Sequence, residues 1–354
     1  MAELEAAAGH DVTVLVTNPG GHAPAETING VHLIRLPRLA TVASTPLSLH
    51  FPTAIRRQRP DVTHLHFPYP IGEVGQMLGG RGRPYVITYH SDIVRQKTLL
   101  RLYAPLLRRV LRGAARILPT SQNYIATSPW LRPLADKCTV IPLSVDPAPF
   151  ANPIPLIPPD GRPTLLFVGR HRHYKGVDDL IRAVNGLNCR VLIGGDGPLR
   201  SQWEELARGL GLAAQVQFVG EVGDADLPGL FASADIFVLP ASSRAEAFGK
   251  VLLEAMAAGL PCITTELGTG TSFVVQDGVS GVVVPLRPCS GQAPRDPRAL
   301  REGIESLLGD ADKRREMGRA GRARVLREFT EEMLLTRVMG VYEEVLSGKK
   351  VNRR

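Results

Sequence analysis

Short runs of aliphatic and β-branched residues recur along the chain, each bounded by turn-forming residues and separated from the next by helical or loop sequence. In the first half the runs that predict strands are Val12 to Val16, Val31 to Leu36, Asp61 to Phe67, Tyr85 to His90, Arg116 to Thr120 and Cys138 to Leu143. In the second half they are Thr164 to Gly169, Arg190 to Gly194, Gln215 to Gly220, Ile236 to Pro240, Pro261 to Thr265 and Gly281 to Pro285. Runs such as Leu165-Leu166-Phe167-Val168 and Ile236-Phe237-Val238-Leu239 are continuously apolar rather than alternating, which means burial on both faces, as in a parallel sheet covered by helices. The pattern predicts two doubly wound α/β domains. Length agrees, because 354 residues exceed what one hydrophobic core usually serves.

Composition marks the boundary between the two. Seven prolines lie between Asp146 and Pro163, too many for a helix or a central strand. The predicted division is residues 1–150, a proline-rich linker over 151–163, a second domain over 164–328 and a C-terminal helix with a basic tail over 329–354. Ligands of open α/β sheets sit beyond the carboxyl ends of the strands, where strand order reverses. Two such domains facing one another make a cleft with two lips, suited to two substrates.

Apolar content of 44% with 21% charged residues is ordinary for a globular protein. No apolar run reaches the roughly 18 residues of a membrane span, and the first residues lack the sections of a signal peptide, so a cytoplasmic protein is expected. Cys138, Cys189, Cys262 and Cys289 lie far apart and are expected to be free thiols. The net charge of +8 is uneven: residues 1–155 hold 16 Lys+Arg against 9 Asp+Glu. Much of this excess lies in Arg95 to Arg116, where cations alternate with leucines in an amphipathic helical pattern. Its basic face is either simply solvated or meets an anionic partner such as a membrane surface. Few aromatics interleave with the basic residues, which argues against nucleic acid.

The chemistry concentrates in the second half. Phe167-Val168-Gly169-Arg170-His171-Arg172-His173-Tyr174-Lys175-Gly176 runs from a strand through a glycine turn into a helix at about Val177. Arg170 offers a planar fork for phosphate oxygens and Lys175 a compact charge, so the segment outlines a diphosphate cradle; a plain basic turn is the other reading. It is neither a Walker loop nor a G-x-G-x-x-G fingerprint. Further on, a helix from Gly249 carries Glu254 on an otherwise apolar stretch, where a carboxylate is costly unless paired or bonded to ligand hydroxyls.

Glu246-Ala-Phe-Gly-Lys-Val-Leu-Leu-Glu254-Ala-Met-Ala-Ala-Gly-Leu-Pro261, two glutamates separated by seven residues, together with the Gly169-Arg170 to Lys175-Gly176 segment, resembles the retaining glycosyltransferases of family 4. The resemblance covers nearly the whole chain and implies the GT-B fold, with two Rossmann-like parallel-sheet domains facing a central cleft. His66-Phe-Pro-Tyr-Pro70, Tyr89 to Lys97 and Glu266 to Phe273 look like a narrower bacterial branch, the rhamnosyl/mannosyltransferases of surface-polysaccharide assembly. The resemblance implies that Arg170 and Lys175 bind the donor diphosphate and that Glu254 holds the ribose hydroxyls. It implies that Glu246 and the backbone of Phe248, Gly249, Lys250 and Val251 bind the donor sugar or its phosphate, and that His90 reaches over from the first domain. The donor is then a nucleoside diphosphate sugar, the acceptor a glycan or polyprenyl-linked glycan, and no metal or other cofactor is needed. Fixed cations stabilise the leaving diphosphate instead.

Other patterns are given lesser roles. Asp224-Ala-Asp226 has the D-x-D spacing of metal-dependent transferases but is expected to cap a helix. His64 and His66 share a strand face without an evident third ligand, and are expected to form core or cleft wall rather than a zinc site. His90-Ser91-Asp92 has triad letters without triad geometry. Gly194-Gly195-Asp196-Gly197-Pro198 is expected to turn a strand into a helix. A nucleotide-sugar epimerase or hydrolase of the same shape, or a non-catalytic binding protein, remains an alternative. Met1 to Val14 resembles the end of the family's first helix followed by its second strand, so a first strand and glycine-rich loop are expected to precede it.

Overall fold

A computed structural model describes residues 1–42, 45–80, 82–93, 97–286 and 297–348. The chain packs into two compact units, Met1–Pro142 with Glu331–Arg354, and Leu143–Thr330. Packing thus divides the chain at Pro142 rather than after residue 150, and the last helix belongs with the first unit.

In the first unit β1 (Thr13–Thr17) pairs in parallel with β3 (Val31–Leu36), and β2 (Ala25–Ile28) lies antiparallel on the other side of β3. The short β4 (Ala40–Val42) and β5 (Thr45–Leu47) pair with one another. A second sheet, β6 (Thr63–Phe67), β7 (Tyr85–Tyr89) and β8 (Arg116–Pro119), is wholly parallel in the order β6-β7-β8. Val86, Leu118 and Ile141 of this sheet and its margin are covered by Val338, Val341 and Tyr342 of the helix Glu331–Ser347. An Arg116–Glu344 ion pair ties the same helix to β8.

Cys138 to Leu143 is not a strand. Cys138 makes one isolated parallel bridge to Ile117, and Thr139 and Ile141 donate to the carbonyls of Ile117 and Pro119. Pro142 then offers no amide, and the ladder stops. The strands absent from the hydrophobic pattern, β2, β4 and β5, are short edge elements that bury little, so no core face marks them.

The second unit holds β9 (Thr164–Val168), β10 (Arg190–Gly194), β11 (Val216–Gly220), β12 (Ile236–Leu239), β13 (Cys262–Glu266) and β14 (Gly281–Pro285). All six expected runs are strands, paired in parallel in the order β11-β10-β9-β12-β13-β14. Leu165 to Phe167 and Ile236 to Leu239 are fully buried, as continuous apolar runs require. The order reverses between β9 and β12, so the loops leaving these neighbours open side by side at the switch point.

Candidate active site

Strand β9 leaves the sheet at Gly169, with φ at +155°, and the Gly169 amide donates to the Gly194 carbonyl at 3.1 Å. A side chain at Gly195 would fall on the Gly169 carbonyl, so the loop after β10 lies backbone against backbone on the loop after β9. Arg170 is exposed, and its guanidinium has no hydrogen-bond or ion-pair partner among the described residues. His171 turns inward, fully buried with its ring 4.8 Å from that of Trp203. The chain then makes a short 3-10 turn, His173–Lys175, and reverses at Gly176, whose φ is +67°. A Cβ at Gly176 would overlap the Pro240 carbonyl oxygen, so only glycine lets the β9 and β12 loops meet. The following helix, Val177–Ala183, carries Asp178 and Asp179 in its first turn, which partly offset its positive end.

This turn aims Lys175 at the loop after β12. Its Nζ donates to Glu246 Oε2 at 2.6 Å, and the two side chains are 11% and 10% exposed. Two residues assigned separate sequence roles are therefore one buried, charge-assisted pair. The loop after β13 supports it from above: Thr269 donates to the Glu246 carbonyl at 2.9 Å and Gly270 to the Ala247 carbonyl at 2.8 Å. A Cβ at Gly270 would come within 2.6 Å of Phe248 Cα, so that loop rests directly on the Phe248 backbone. Arg244 holds the same loop through the carbonyls of Leu267 and Gly268. Thr269, Gly270 and Arg244 support the site in ways that sequence reasoning missed; the glycine-threonine run after Glu266 was the only trace of the first two.

Gly249, left-handed at φ +78°, opens the helix Lys250–Ala257, with Phe248 buried and Lys250 exposed beside it. One turn along, Glu254 is half-buried. Burial raises its pKa, against the pull of Lys250 and, more weakly, of Lys175, while Asp224 pushes it further up. Its carboxylate receives no hydrogen bond from the described residues. The loops after β9, β12 and β13 thus bring Gly169, Lys175, Glu246, Phe248, Gly249, Lys250, Val251 and Glu254 together, with Arg170 free at the margin.

His90 stands in the first unit, just after β7. Its Nε2 is 2.9 Å from His66 Nδ1, the two rings nearly parallel at 15°. His64 lies beside His66 on β6, with ring centroids 4.9 Å apart. Burial lowers the pKa of all three, with neighbouring histidines adding to the effect for His64 (to about 3) and His66 (to about 4). Asp92 accepts from Tyr89 and Ser128. Asp226 occupies the residue before the helix Leu227–Ala232, but its side chain makes no capping bond, so the capping role expected of it is not realised. Among the described residues no group of three His, Cys, Asp or Glu is arranged to hold a metal ion. Cys138, Cys189 and Cys262 are free thiols; Cys289 lies outside the described residues.

Comparison with known proteins agrees with this fold. Residues 1–144 match the model of the glycosyl transferase 4-like domain, and residues 152–324 that of the glycosyl transferases group 1. The D-rhamnosyltransferase WbpZ of Pseudomonas aeruginosa is 37% identical, over 93% of this chain and 86% of its own. The O-antigen chain mannosyltransferase C of Escherichia coli is 34% identical, over 88% and 83%. Among solved structures, sucrose-phosphate synthase of Thermosynechococcus elongatus superposes with a TM-score of 0.78 at 23% identity, covering 98% of this chain and 92% of that one. Anabaena HepE, solved in complex with UDP-glucose, gives 0.67 at 18% identity, covering 91% and 87%.

Proposed function

The chain belongs to the family 4 glycosyltransferases, group 1 enzymes of the GT-B fold, and from that premise we propose that it transfers a mannose or rhamnose from a nucleoside diphosphate sugar to a glycan or lipid-linked acceptor. In this reading the transfer retains the anomeric configuration, needs no metal, and serves surface-polysaccharide assembly. The observation that carries it is the buried Lys175–Glu246 pair at the switch point, with the unpartnered Arg170 and the half-buried Glu254 on the same loops. Arg170 and Lys175 take the diphosphate oxygens; Glu254 takes the ribose hydroxyls. HepE, of the same fold, was solved with a nucleotide sugar, which favours a donor of that class.

The sugar–phosphate bond breaks with its electron pair passing to the leaving diphosphate, whose growing charge meets Lys175 and Arg170. The acceptor oxygen bonds to the anomeric carbon on the same face, and its proton passes to a departing phosphate oxygen. Glu246, already committed to Lys175, positions the sugar rather than attacking it.

Among the described residues no helix is long and apolar enough to cross a membrane. The helix Lys97–Gly113 exposes Leu102 at 79% beside Arg101, Arg108, Arg109 and Arg112, with Arg108 lying over the Trp130 ring at 5.8 Å. That face suits a peripheral contact with anionic lipid, where a polyprenyl-linked acceptor resides. Arg95 lies outside the described residues.

The test is incubation with a panel of nucleotide sugars, with and without acceptor and chelator, reading nucleoside diphosphate release and the anomeric configuration of the product. Acceptor-dependent release that survives chelation, with retention, is expected. Acceptor-independent release would instead mark a hydrolase, and binding without turnover a non-catalytic protein. Loss on chelation with recovery on adding magnesium overturns the metal-free reading.

A further inference from the structure

His64, His66 and His90 of the first unit form one connected set, in which the ring proton of His64 can be placed. Tyr342 has a single hydroxyl hydrogen and donates it to Glu5 Oε1 at 3.0 Å. Its oxygen must therefore accept from His64 Nδ1, which lies 2.5 Å away. His64 Nε2 is then the bare nitrogen and accepts from the Thr88 hydroxyl at 2.6 Å. Both ring nitrogens of His64 are engaged, so its ring is fixed, and it gives His66 a flat wall at 4.9 Å with the planes 12° apart.

His66 cannot complete itself on that wall. Its Nδ1 reaches His90 Nε2 at 2.9 Å, and the ring centroids are 5.2 Å apart at 15°. The centroid separation exceeds the nitrogen separation by about two ring radii, so the bond lies in the plane of both rings, where a ring nitrogen's lone pair and N–H point. Neither His66 Nε2 nor His90 Nδ1 has a partner among the described residues.

We propose that His66 is a positioning residue for His90: the in-plane bond anchors His90 Nε2 and leaves Nδ1 as the nitrogen presented to substrate. One proton sits between the bonded nitrogens in the neutral pair. If Nε2 accepts it, Nδ1 of His90 carries a hydrogen and donates to a substrate oxygen; if Nε2 donates, Nδ1 is an acceptor. The bond couples the tautomer of His90 to that of His66; the pair settles in one of these two states, which gives His90 one tautomer and one ring orientation. The proposal rests on the reading that His90 takes part in transfer, and adds to it the residue that makes this histidine a defined donor or acceptor.

Two substitutions separate the bond from the stack. His66→Phe keeps a flat ring against His64 and removes the nitrogen; His66→Asn loses the ring but keeps a polar atom near the place of Nδ1. On the full chain, ¹⁵N spectra of the histidine ring nitrogens are recorded for wild type and both variants, with GDP release from GDP-mannose measured in parallel. In wild type His90 should show a single tautomer. In His66→Phe its two nitrogens should move toward averaged shifts and kcat should fall on the order of tenfold or more, with KM little changed. His66→Asn should restore the single tautomer and most of the rate. A His90 spectrum unchanged in His66→Phe, or a His66→Asn as impaired as His66→Phe, overturns the proposal, the spectrum deciding even if GDP-mannose is not turned over. His90→Ala separates the two layers. Wild-type turnover in that variant removes the reading of His90 itself; impaired turnover beside a normal His66→Phe removes the positioning role alone.

Discussion

Lys175 and Glu246 stand 71 positions apart, so nothing in their local sequence says that they touch. The residue types were legible because a glycine turn with cations and two glutamates separated by seven residues form a pattern. Their pairing was not, because it depends on β9 and β12 being neighbours in the sheet. The pair makes a prediction that separates stability from turnover. Removing one partner of a buried pair leaves an unmatched charge, at a cost of about 3–5 kcal/mol, whereas removing both costs less. Lys175→Met and Glu246→Leu should each lower the melting temperature, and the double variant should melt above either single one while staying inactive. Additive losses would mean that the pair does not exist in solution. Arg170 is exposed and unpartnered, so Arg170→Ala should leave melting unchanged and cut turnover by on the order of a hundredfold through lost charge stabilisation of the leaving group. A melting change as large as that of Lys175→Met would show Arg170 to be structural.

Elements were read best where burial dictates pattern. In the second unit the central strands β9 and β12 showed themselves as continuous apolar runs, because both faces are covered. The edge strands β2, β4 and β5 of the first unit have no covered face to reveal them, and the apolar run at Cys138 to Leu143 misled because Pro142 ends its ladder. The turn that delivers Lys175 allows an element-level test with an internal control. Gly176 and Gly278 both have positive φ, +67° and +71°, but a Cβ at Gly176 meets the Pro240 carbonyl while one at Gly278 meets open space. Gly278→Ala should cost only the left-handed penalty of about 1–2 kcal/mol. Gly176→Ala should cost clearly more in denaturant melts, because a backbone oxygen cannot step aside, and should impair turnover as well. Equal losses would place no close approach there. The helix Lys97–Gly113 is testable alone: reversing charge at Arg108, Arg109 and Arg112 should weaken binding to phosphatidylglycerol vesicles, and salt should do the same. Binding indifferent to both would leave that face merely solvated.

At the scale of the molecule, two α/β halves were legible from twelve recurring runs and a proline-rich join, but the return of the last helix to the first unit was not. The pattern gave only a C-terminal helix, and what its Val338, Val341 and Tyr342 cover, Val86, Leu118 and Ile141, is fixed by packing. That helix also brings Tyr342 to His64. The buried histidines should make the first unit sensitive to acid. His64 and His66 have pKa values lowered to about 3 and about 4, and His90 is lowered too, all chiefly by burial. A folded-state pKa below the unfolded value means that the unfolded chain binds more protons. The stabilisation is then whole above the unfolded value of 6.5 and is lost as pH falls through the window toward 4 and 3. Glu73 works the other way: burial raises its pKa, so its contribution fades as pH rises, and the net slope alone does not isolate the histidines. His64→Gln does, since glutamine stays neutral and retains an acceptor or donor toward Thr88. Trp130 lies in the first unit and Trp203 in the second, so Trp203→Phe leaves a fluorophore that reports on the first unit alone. In that background, urea midpoints should fall between about pH 7.5 and about pH 5, and the fall should be smaller with His64→Gln. An identical fall with and without His64 would mean that this imidazole titrates the same way folded and unfolded, and that its bonds to Tyr342 and Thr88 do not hold it neutral.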